Sequence, residues 1–527
     1  MKKIEVGNGT FAKLIESDNI YVDKTDIIYN LITSGSTFFF CSRPRRFGKT
    51  LTLSTLEEIF KGKKELFKGL KIYDMDYDWK EYPIIHIDLG NIDADDATEL
   101  KKKLLYLLDD IISQYSIKID RTEYYETNLK RVIEKLAKDN KIVILIDEYD
   151  KILSSNIYNP NVEKMRTVLR RFFEIIKAAS DYIRFAFITG VTKFSKVSIF
   201  SSMNNLIDLS FIREYATLFG FTEEEVKHYF SEYIEQGIKR TGLSYDEYMA
   251  KLEKKYNGNR FSPDSEVTVY NPVSIGLFFF YGGEKFDNYW VETGGMKLLM
   301  DVAKHIDFDI SKDITTPISK SDITVFDILE MSSNTVSPYK YKSLLFQSGY
   351  LTIKGISKNN PNAYILDFPN EEVAESYSVN LLAAYSGDNS AGIFQASGIS
   401  SSFSNGETES AIEEIKRIYA SIPYDLLKMA DEAHYSTAFF CMMKALGANI
   451  GSELETSKGR IDAVLENKTH IYIFEFKYNK TADEALSQIH ETQYYEPYLR
   501  EGKKVHLIGM NFSSKEKNIN EWKEEIL

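Results

Sequence analysis

The stretch Phe38–Leu56, FFFCSRPRRFGKTLTLSTL, decides the fold of the first half of the chain. Phe38, Phe39, Phe40 and Cys41 read as a short buried strand. An arginine-rich turn follows, then Gly48-Lys49-Thr50, then Leu53, Leu56 and Phe60 at helical spacing. Strand, loop, Gly-Lys-Thr and helix in that order are the layout of a phosphate-binding loop. The helix N-terminus offers unpaired N–H groups and partial positive charge to a phosphate. Gly48 lets the backbone approach the ligand, Lys49 can reach the β- and γ-phosphates, and the Thr50 hydroxyl can ligate Mg²⁺. ATP contacts are therefore expected at Arg46, Phe47, Gly48, Lys49, Thr50 and Leu51. The pattern G-x-x-x-x-G-K-[ST] asks for glycine where Arg43 stands. Arg43, Arg45 and Arg46 could add charge near the phosphates, or face a nucleic acid or a neighbouring subunit. A solvated basic loop before an ordinary helix is the plainer alternative.

Residues downstream decide between them. In Lys141–Asp150, KIVILIDEYD, an apolar run ends in Asp147 and Glu148. This describes a buried parallel strand with acids at its C-terminal end, where ligands of open α/β sheets collect. Asp147, expected on a strand beside the P-loop, can share Mg²⁺ with Thr50, and Glu148 can orient or deprotonate the attacking water. Arg184–Gly190, RFAFITG, is another buried strand, and its Thr189 is in position to sense the γ-phosphate. With Tyr82–Asp88 as a further strand and helices at 100–116, 129–139 and 165–179, the alternation predicts a doubly wound α/β domain over residues 1–215.

Residues 216–315 then read as a helical lid, opened by a capping box of Thr222 and Glu225. Arg260 in the lid could reach the γ-phosphate from within the same chain. Arg170, Arg171, Arg213 and Arg260 are candidates for an arginine finger, and each could equally be an ordinary surface or ion-pair arginine. Residues 316–395 read as a winged-helix-like unit and connector, with a helix ended by Gly349 and a hairpin of 350–353 with 363–366. The Ser/Gly-rich 397–409, SGISSSFSNGETE, reads as a linker or exposed loop, giving a linker over 396–410. Residues 411–527 form a separate α/β unit, with helices at 432–446 and 482–500 and strands at 450–455, 460–466, 471–477 and 504–510.

Within that unit, Gly459–Lys477 reads GRIDAVLENKTHIYIFEFK. A turn at 467–470 sets Asp462 and Glu475 opposite each other across a hairpin, with Cα atoms about 4.5–5.5 Å apart. Lys477 shares the face of Glu475, while Phe474 and Phe476 point to the other. Facing carboxylates repel unless a cation sits between them, so Asp462 and Glu475 are expected to hold Mg²⁺ or Mn²⁺. The metal would activate water for phosphodiester cleavage, with Lys477 positioning that water or neutralising developing charge. The plainer alternative is a surface charge network on a hairpin.

On these motifs the chain resembles known families. Residues 1 to about 370 resemble the AAA-like ATPases of bacteria and archaea often found with a C-terminal nuclease. The motifs are Tyr21-Val22-Asp23-Lys24-Thr25, Arg43-Pro44-Arg45-Arg46-Phe47-Gly48-Lys49-Thr50, Ile146–Asp150, Ile188–Lys193, Gly220–Glu223, Tyr256-Asn257-Gly258 with Arg260-Phe261, and Tyr270-Asn271-Pro272. The resemblance makes Arg43 in place of glycine a family habit. The Asp462/Glu475-Phe476-Lys477 hairpin resembles the PD-(D/E)XK nuclease superfamily, which implies a restriction-endonuclease-like α/β domain. Glu432 matches the helix-borne acid of some branches. Gln488 and Tyr494 match the Gln-Ile…Tyr pattern of nucleases attached to these ATPases, although the spacing departs from Q-x-x-x-Y.

Composition bounds the function. Hydrophobic content of 43% and charged content of 27% are those of a globular chain, and 527 residues exceed one core. A net charge of −13 argues against a protein that coats nucleic acid but leaves room for a local basic groove. Cys41 and Cys441 make neither a zinc pattern nor a disulfide framework, and the N-terminus lacks an apolar signal region, so a cytoplasmic location is expected. No run is long and apolar enough for a membrane span. The expected partners are ATP and a nucleic acid, with DNA favoured, and a homo-oligomer is left open. The expected function is ATP binding and hydrolysis coupled to metal-dependent cleavage of DNA. The alternative is a nucleotide-dependent switch or scaffold that binds DNA or a partner without cutting, and a DNA-translocating motor is a third reading.

Overall fold

Five strands of the N-terminal half are β1 (Phe38–Ser42), β2 (Ile84–Asp88), β3 (Ile142–Asp147), β4 (Ile183–Gly190) and β5 (Ile207–Asp208). In the computed structural model they form one sheet in the order β2-β3-β4-β1-β5, and every pairing is parallel. The structure describes residues 1–7, 9–193, 199–200, 203–290, 299–300, 302–303, 306, 308, 313–324, 337–386, 397–421, 432–445, 450–456, 459–499 and 502–527.

β3 is buried at all six positions, as its unbroken apolar run requires of a central parallel strand. One expectation about it is corrected. β3 does not lie beside the P-loop strand; β4 runs between them. The sequence could not show this, because parallel neighbours are joined by long crossovers and their order is a tertiary choice.

The described part of the segment read as a lid is helical: Glu223–Tyr229, Ser231–Thr241, Tyr245–Tyr256 and Pro272–Phe280. These helices pack around Phe230, Ile234, Tyr248, Leu252 and Phe278, and Val22 joins the same cluster. Thr222 and Glu225 form the expected capping box. The Tyr21–Thr25 motif proves to be a clamp. Lys24 Nζ lies 2.6 Å from both carboxylate oxygens of Glu225, the Tyr229 hydroxyl accepts from Asp23 N at 3.3 Å, and Asp23 Oδ1 accepts from the Thr25 amide and hydroxyl. Burial pushes the Lys24 ammonium down from its ordinary value, against the pull of Glu225.

β6 (Ile318–Ser319) is a two-residue strand. The helix Pro338–Gln347 is followed by Gly349, in the left-handed region at φ +89°, then by β7 (Thr352–Ser357) and β8 (Asn360–Asp367). By compactness the chain divides into two units. Residues 1–289 with 343–364 make most of the first, and residues 365–527 most of the second.

The second unit carries β9 (Ile450–Thr456), β10 (Gly459–Glu466), β11 (His470–Tyr478), β12 (Lys504–Ser513) and β13 (Asn518–Ile526), in the order β13-β12-β11-β10-β9. β11 and β12 are parallel and the other neighbours antiparallel. The helix Ala482–Thr492 makes the crossover and stops eight residues earlier than expected, with Gln493 in the left-handed conformation as its C-cap.

The linker reading of 396–410 is also corrected. Residues 397–405 and 408–421 are helices. Ile399 and Phe403, one helical turn apart, are buried, and Phe403 packs on Tyr472 (4.8 Å between ring centroids) and Phe474 (6.0 Å). The Phe403 carbonyl also accepts from the Tyr472 hydroxyl at 2.7 Å and Asn467 Nδ2 at 3.0 Å. Serine-rich composition masked two well-placed apolar anchors. Phe403→Ala should lower the unfolding free energy of the second unit by about 3–5 kcal/mol. In a true linker the change would stay within about 0.5 kcal/mol, so urea denaturation separates the two.

Among the described residues no helix is long and apolar enough to cross a membrane.

Candidate functional site

The first cluster sits at the C-terminal ends of β1, β3 and β4. The helix Lys49–Phe60 begins at Gly48, whose φ of +94° suits glycine. Thr50 Oγ1 donates to Asp147 Oδ2 at 2.6 Å, and Thr189 Oγ1 donates to Asp147 Oδ1 at 2.5 Å. Asp147 Oδ1 also accepts from the Glu148 amide at 2.9 Å. One carboxylate thus ties the P-loop helix to β3 and β4. The interposed β4 makes this contact: its Thr189 is fully buried, and its hydroxyl orients Asp147.

Lys49 is buried, and its Nζ donates to the carbonyls of Arg43 (2.9 Å) and Pro44 (3.0 Å). Burial lowers its pKa, while Asp147, Glu148 and Asp150 pull it back up. Glu148 stands in the left-handed region at φ +49°, an uncommon place for a non-glycine residue. Its carboxylate lies against Gly90, where a Cβ would come within 2.3 Å of Glu148 Oε2. Burial raises the Glu148 pKa; Lys49 opposes this, and the charges of Asp147 and Asp150 add to it.

A cavity of about 420 Å³ opens here, within the size range of small-molecule sites. Arg45, Arg46, Gly48, Lys49, Thr50, Leu51 and Glu148 line its polar end, and Ile4, Val6, Val22, Phe221 and Val273 its apolar end. The apolar wall of N-terminal and lid residues escaped sequence reasoning, because these residues lie far apart in the chain and carry no polar signal. Asp88 was missed as well. It pairs in register with Asp147 at the end of β2, and its Oδ1 accepts from the Gly90 amide at 2.8 Å. A strand ending in an acid was the available signal.

Several of the expected residues direct their side chains away from the cavity. Phe47 is a core residue, edge-on to Phe261 at 5.1 Å, because an aromatic ring next to the glycine anchors the loop. Arg260 does not line the cavity. Its Nε donates to the Ser262 carbonyl at 3.1 Å and its Nη2 to that of Pro263 at 2.8 Å. Arg43 is turned away and buried: Nη1 donates to the carbonyls of Ser42 (2.9 Å) and Ser210 (2.8 Å), and the guanidinium lies 4.3 Å from the Phe261 ring centroid. It braces the loop from behind.

The donor set suits a magnesium nucleotide. Thr50 and Asp147 are hard oxygen donors in contact, and Lys49 and the helix N-terminus are cationic.

The second cluster lies on the β10–β11 hairpin. The register Ala463↔Phe474, carried one step further, sets Asp462 opposite Glu475, as expected from the turn. Asp462 Oδ2 accepts from the Phe476 amide at 2.7 Å. Glu475 is 1% exposed. Its Oε1 accepts from Lys477 Nζ at 2.7 Å, and its Oε2 accepts from the Tyr494 hydroxyl. Burial, then the Glu475 charge, pushes the Tyr494 phenol far above its ordinary range, so it remains a donor. Phe474 and Phe476 occupy the other face, against Phe439 at 5.0 and 5.1 Å. Tyr494, reached only through the crossover helix, is thus a direct partner of Glu475. Gln488 on that helix is half-buried. Glu432 starts the helix Glu432–Ala445, but its side chain lies outside the described residues.

Among the described residues no group of three or more His, Cys, Asp and Glu is arranged to hold a metal. Asp462 and Glu475 still suit Mg²⁺ or Mn²⁺, which take one or two carboxylates and complete their shells with water and substrate phosphate.

The other end of β11 carries a separate chain of contacts. His470 Nδ1 meets His506 Nε2 at 2.8 Å, and His506 Nδ1 meets Glu524 Oε1 at 2.7 Å. These scattered histidines show no pattern in sequence.

Two family models match the segments in which the two clusters lie. Residues 5–200 match the family model described as predicted AAA-ATPase, and residues 430–522 match that of the PD-(D/E)XK nuclease superfamily. The chain is 34% identical over 533 residues to a protein of Azotobacter chroococcum mcd 1 described as "Uncharacterized protein in vnfD 5'region", covering 98% of each chain.

Proposed function

Because the chain belongs to the predicted AAA-ATPase family and ends in a domain of the PD-(D/E)XK nuclease superfamily, we propose that it binds and hydrolyses ATP at Lys49, Thr50, Asp147 and Glu148 and cleaves phosphodiester bonds at Asp462, Glu475 and Lys477. DNA is the favoured substrate, and the nucleotide state governs cleavage. The observation that carries the reading is the environment of Glu475. A carboxylate buried between an ammonium and a tyrosine hydroxyl, with a second acid across the hairpin, costs stability that an inert domain has no reason to keep.

In the ATP site, Lys49 and the amides of the first helical turn bind phosphate. Thr50 and Asp147 would hold Mg²⁺, which supplies charge neutralisation on the β- and γ-oxygens. Glu148 orients a water toward the γ-phosphorus and accepts its proton. In the hairpin site, Asp462 and Glu475 would hold Mg²⁺ or Mn²⁺, which supplies an activated water. Tyr494 fixes the Glu475 carboxylate, and Lys477 lies beside it to offset negative charge on the cleaved phosphate.

The purified full chain should cut DNA only with Mg²⁺ or Mn²⁺ present, at a rate that differs between ATP, ADP and no nucleotide. Absence of cleavage of DNA and RNA in every nucleotide state would discard the nuclease half. The non-cutting switch would then take its place.

A pH profile tests Glu148. A base must be unprotonated to act, so a raised pKa shifts the acid limb of ATP turnover to higher pH than an ordinary glutamate gives. Glu148→Gln should keep nucleotide binding and lower turnover by about 10²–10⁴-fold. An acid limb in the ordinary glutamate range would remove Glu148 from this role.

A further inference from the structure

We propose that His470 and His506 form a proton-limited latch, which fastens the helices Ser397–Asn405 and Thr408–Ser421 to the sheet of the second unit at neutral pH and releases them in acid. The latch uses no residue of either functional cluster. His470 Nδ1 lies 2.8 Å from His506 Nε2, and His506 Nδ1 lies 2.7 Å from Glu524 Oε1. The same Glu524 oxygen accepts from the Thr408 hydroxyl at 2.6 Å, so the chain of contacts ends on the first residue of the second helix. Its other end meets the turn between the helices. Gly406 stands there at φ +80°, and a Cβ on it would come within 2.9 Å of His470 Cε1. His506 is buried and stacks on the Tyr472 ring, with 4.4 Å between centroids.

The protons in this chain can be counted. Burial pushes the Glu524 carboxyl up, but the hydrogen bonds from His506 and Thr408 outweigh it and hold the carboxyl below its ordinary value. Glu524 is therefore a charged acceptor, and His506 Nδ1 carries the proton between them. His506 Nε2 is then an acceptor in turn, and His470 Nδ1 must donate to it. Both rings are held as Nδ1–H tautomers. One further proton fits on His470 Nε2 with every contact kept. A second does not fit, because two imidazolium rings are donors at all four nitrogens and leave no acceptor between them. The docked pair holds at most one added proton, whereas the released pair takes two. Release is thus linked to proton uptake, and acid favours it.

The surroundings act in the same direction. Burial lowers the His470 pKa, His506 and Lys504 of β12 lower it further, and Glu524 of β13 opposes them. The helices bring no charge to the chain: Gly406 and the Thr408 hydroxyl face it. Tyr472 of β11 stays neutral, since burial pushes its phenol up to about 12. A histidine whose pKa is lower docked than free stabilises docking fully above the free value, about 6.5, and loses that contribution as pH falls. The helices should therefore loosen below about pH 6.5.

The test uses the full chain and reads hydrogen exchange of residues 397–421 from about pH 7.5 to about pH 5.5, each rate divided by the intrinsic rate at that pH. Protection of the helices should fall by about tenfold per pH unit below about pH 6.5, the slope for one linked proton, while β11 and β12 stay within about threefold. In His470→Asn the helices should stay equally protected throughout. Its amide can donate to His506 or turn and accept from it, so no added proton breaks the contact. Nitrogen NMR of selectively labelled histidine should show both wild-type rings as Nδ1–H at neutral pH.

Wild-type protection of the helices that changes by less than about threefold over this range would overturn the latch. So would the same acid loss in His470→Asn, which would place the proton elsewhere. Parallel loss of protection in β11 and β12 would mean that the whole unit unfolds, and would overturn it too. An Nε2–H tautomer at His506 would exclude the chain of contacts itself, whether or not the variant folds.

Discussion

Lys49→Ala is expected to lose ATP binding and hydrolysis together while leaving metal-dependent cleavage without nucleotide unchanged. The Lys49 ammonium is buried, lies on the Arg43 and Pro44 carbonyls, and faces Asp147, Glu148 and Asp150. Without it those carbonyls lose their partner and the acids face a polyanionic ligand with less opposing charge. Removing one preorganised electrostatic group costs about 10²–10³-fold in rate, and here ground-state binding falls as well. Equilibrium binding of a fluorescent ATP analogue and phosphate release measure the two effects separately. Binding within threefold of wild type would place the nucleotide elsewhere.

Glu475→Gln should abolish phosphodiester cleavage, by about 10²–10³-fold or more, with ATP hydrolysis retained. Glutamine keeps the volume and an oxygen to accept from Tyr494, so the fold survives. It removes the charge that Mg²⁺ or Mn²⁺ requires and that Lys477 now balances at 2.7 Å. Glu475→Ala is the poorer test, because stripping one partner from a buried ion pair destabilises by about 3–5 kcal/mol. Tyr494→Phe should fall between, at about 10–100-fold, as expected for a group that orients a metal ligand. Cleavage measured against metal concentration separates the three. Wild-type cleavage by Glu475→Gln would show that a different nuclease is being observed.

Local pattern carried far in this chain. The P-loop strand and helix, the buried Asp147 strand, the Thr222–Glu225 capping box and the hairpin of Asp462 and Glu475 all fall where periodicity and turn chemistry put them. Each depends on contacts between residues close in sequence. The hairpin register is the clearest case: a tight turn at 467–470 fixes every pairing back to Ala463↔Phe474, the pair next to Asp462 and Glu475. Reading failed where anchors were sparse or composition misled. Phe403 and Ile399, set among serines, form a buried helix face, and β13, rich in charge, was not anticipated at all. As an edge strand it needs only one apolar side, and Ile519 supplies buried contact.

The chain's own residues, read in order, determined that a phosphate loop, an acid-tipped strand and a paired-carboxylate hairpin are present, because those features are local and their spacing is their geometry. Only the tertiary structure decided how they are completed. It placed β4 between β1 and β3, so that Thr189 orients Asp147. It turned Arg43 into the core and left Arg45 in the cavity, a distinction between arginines two residues apart that depends on which side of the loop is buried. It also returned Tyr494 to Glu475 across a crossover helix. Strand order, loop facing and crossover path are set by packing between distant segments, and no local pattern encodes them.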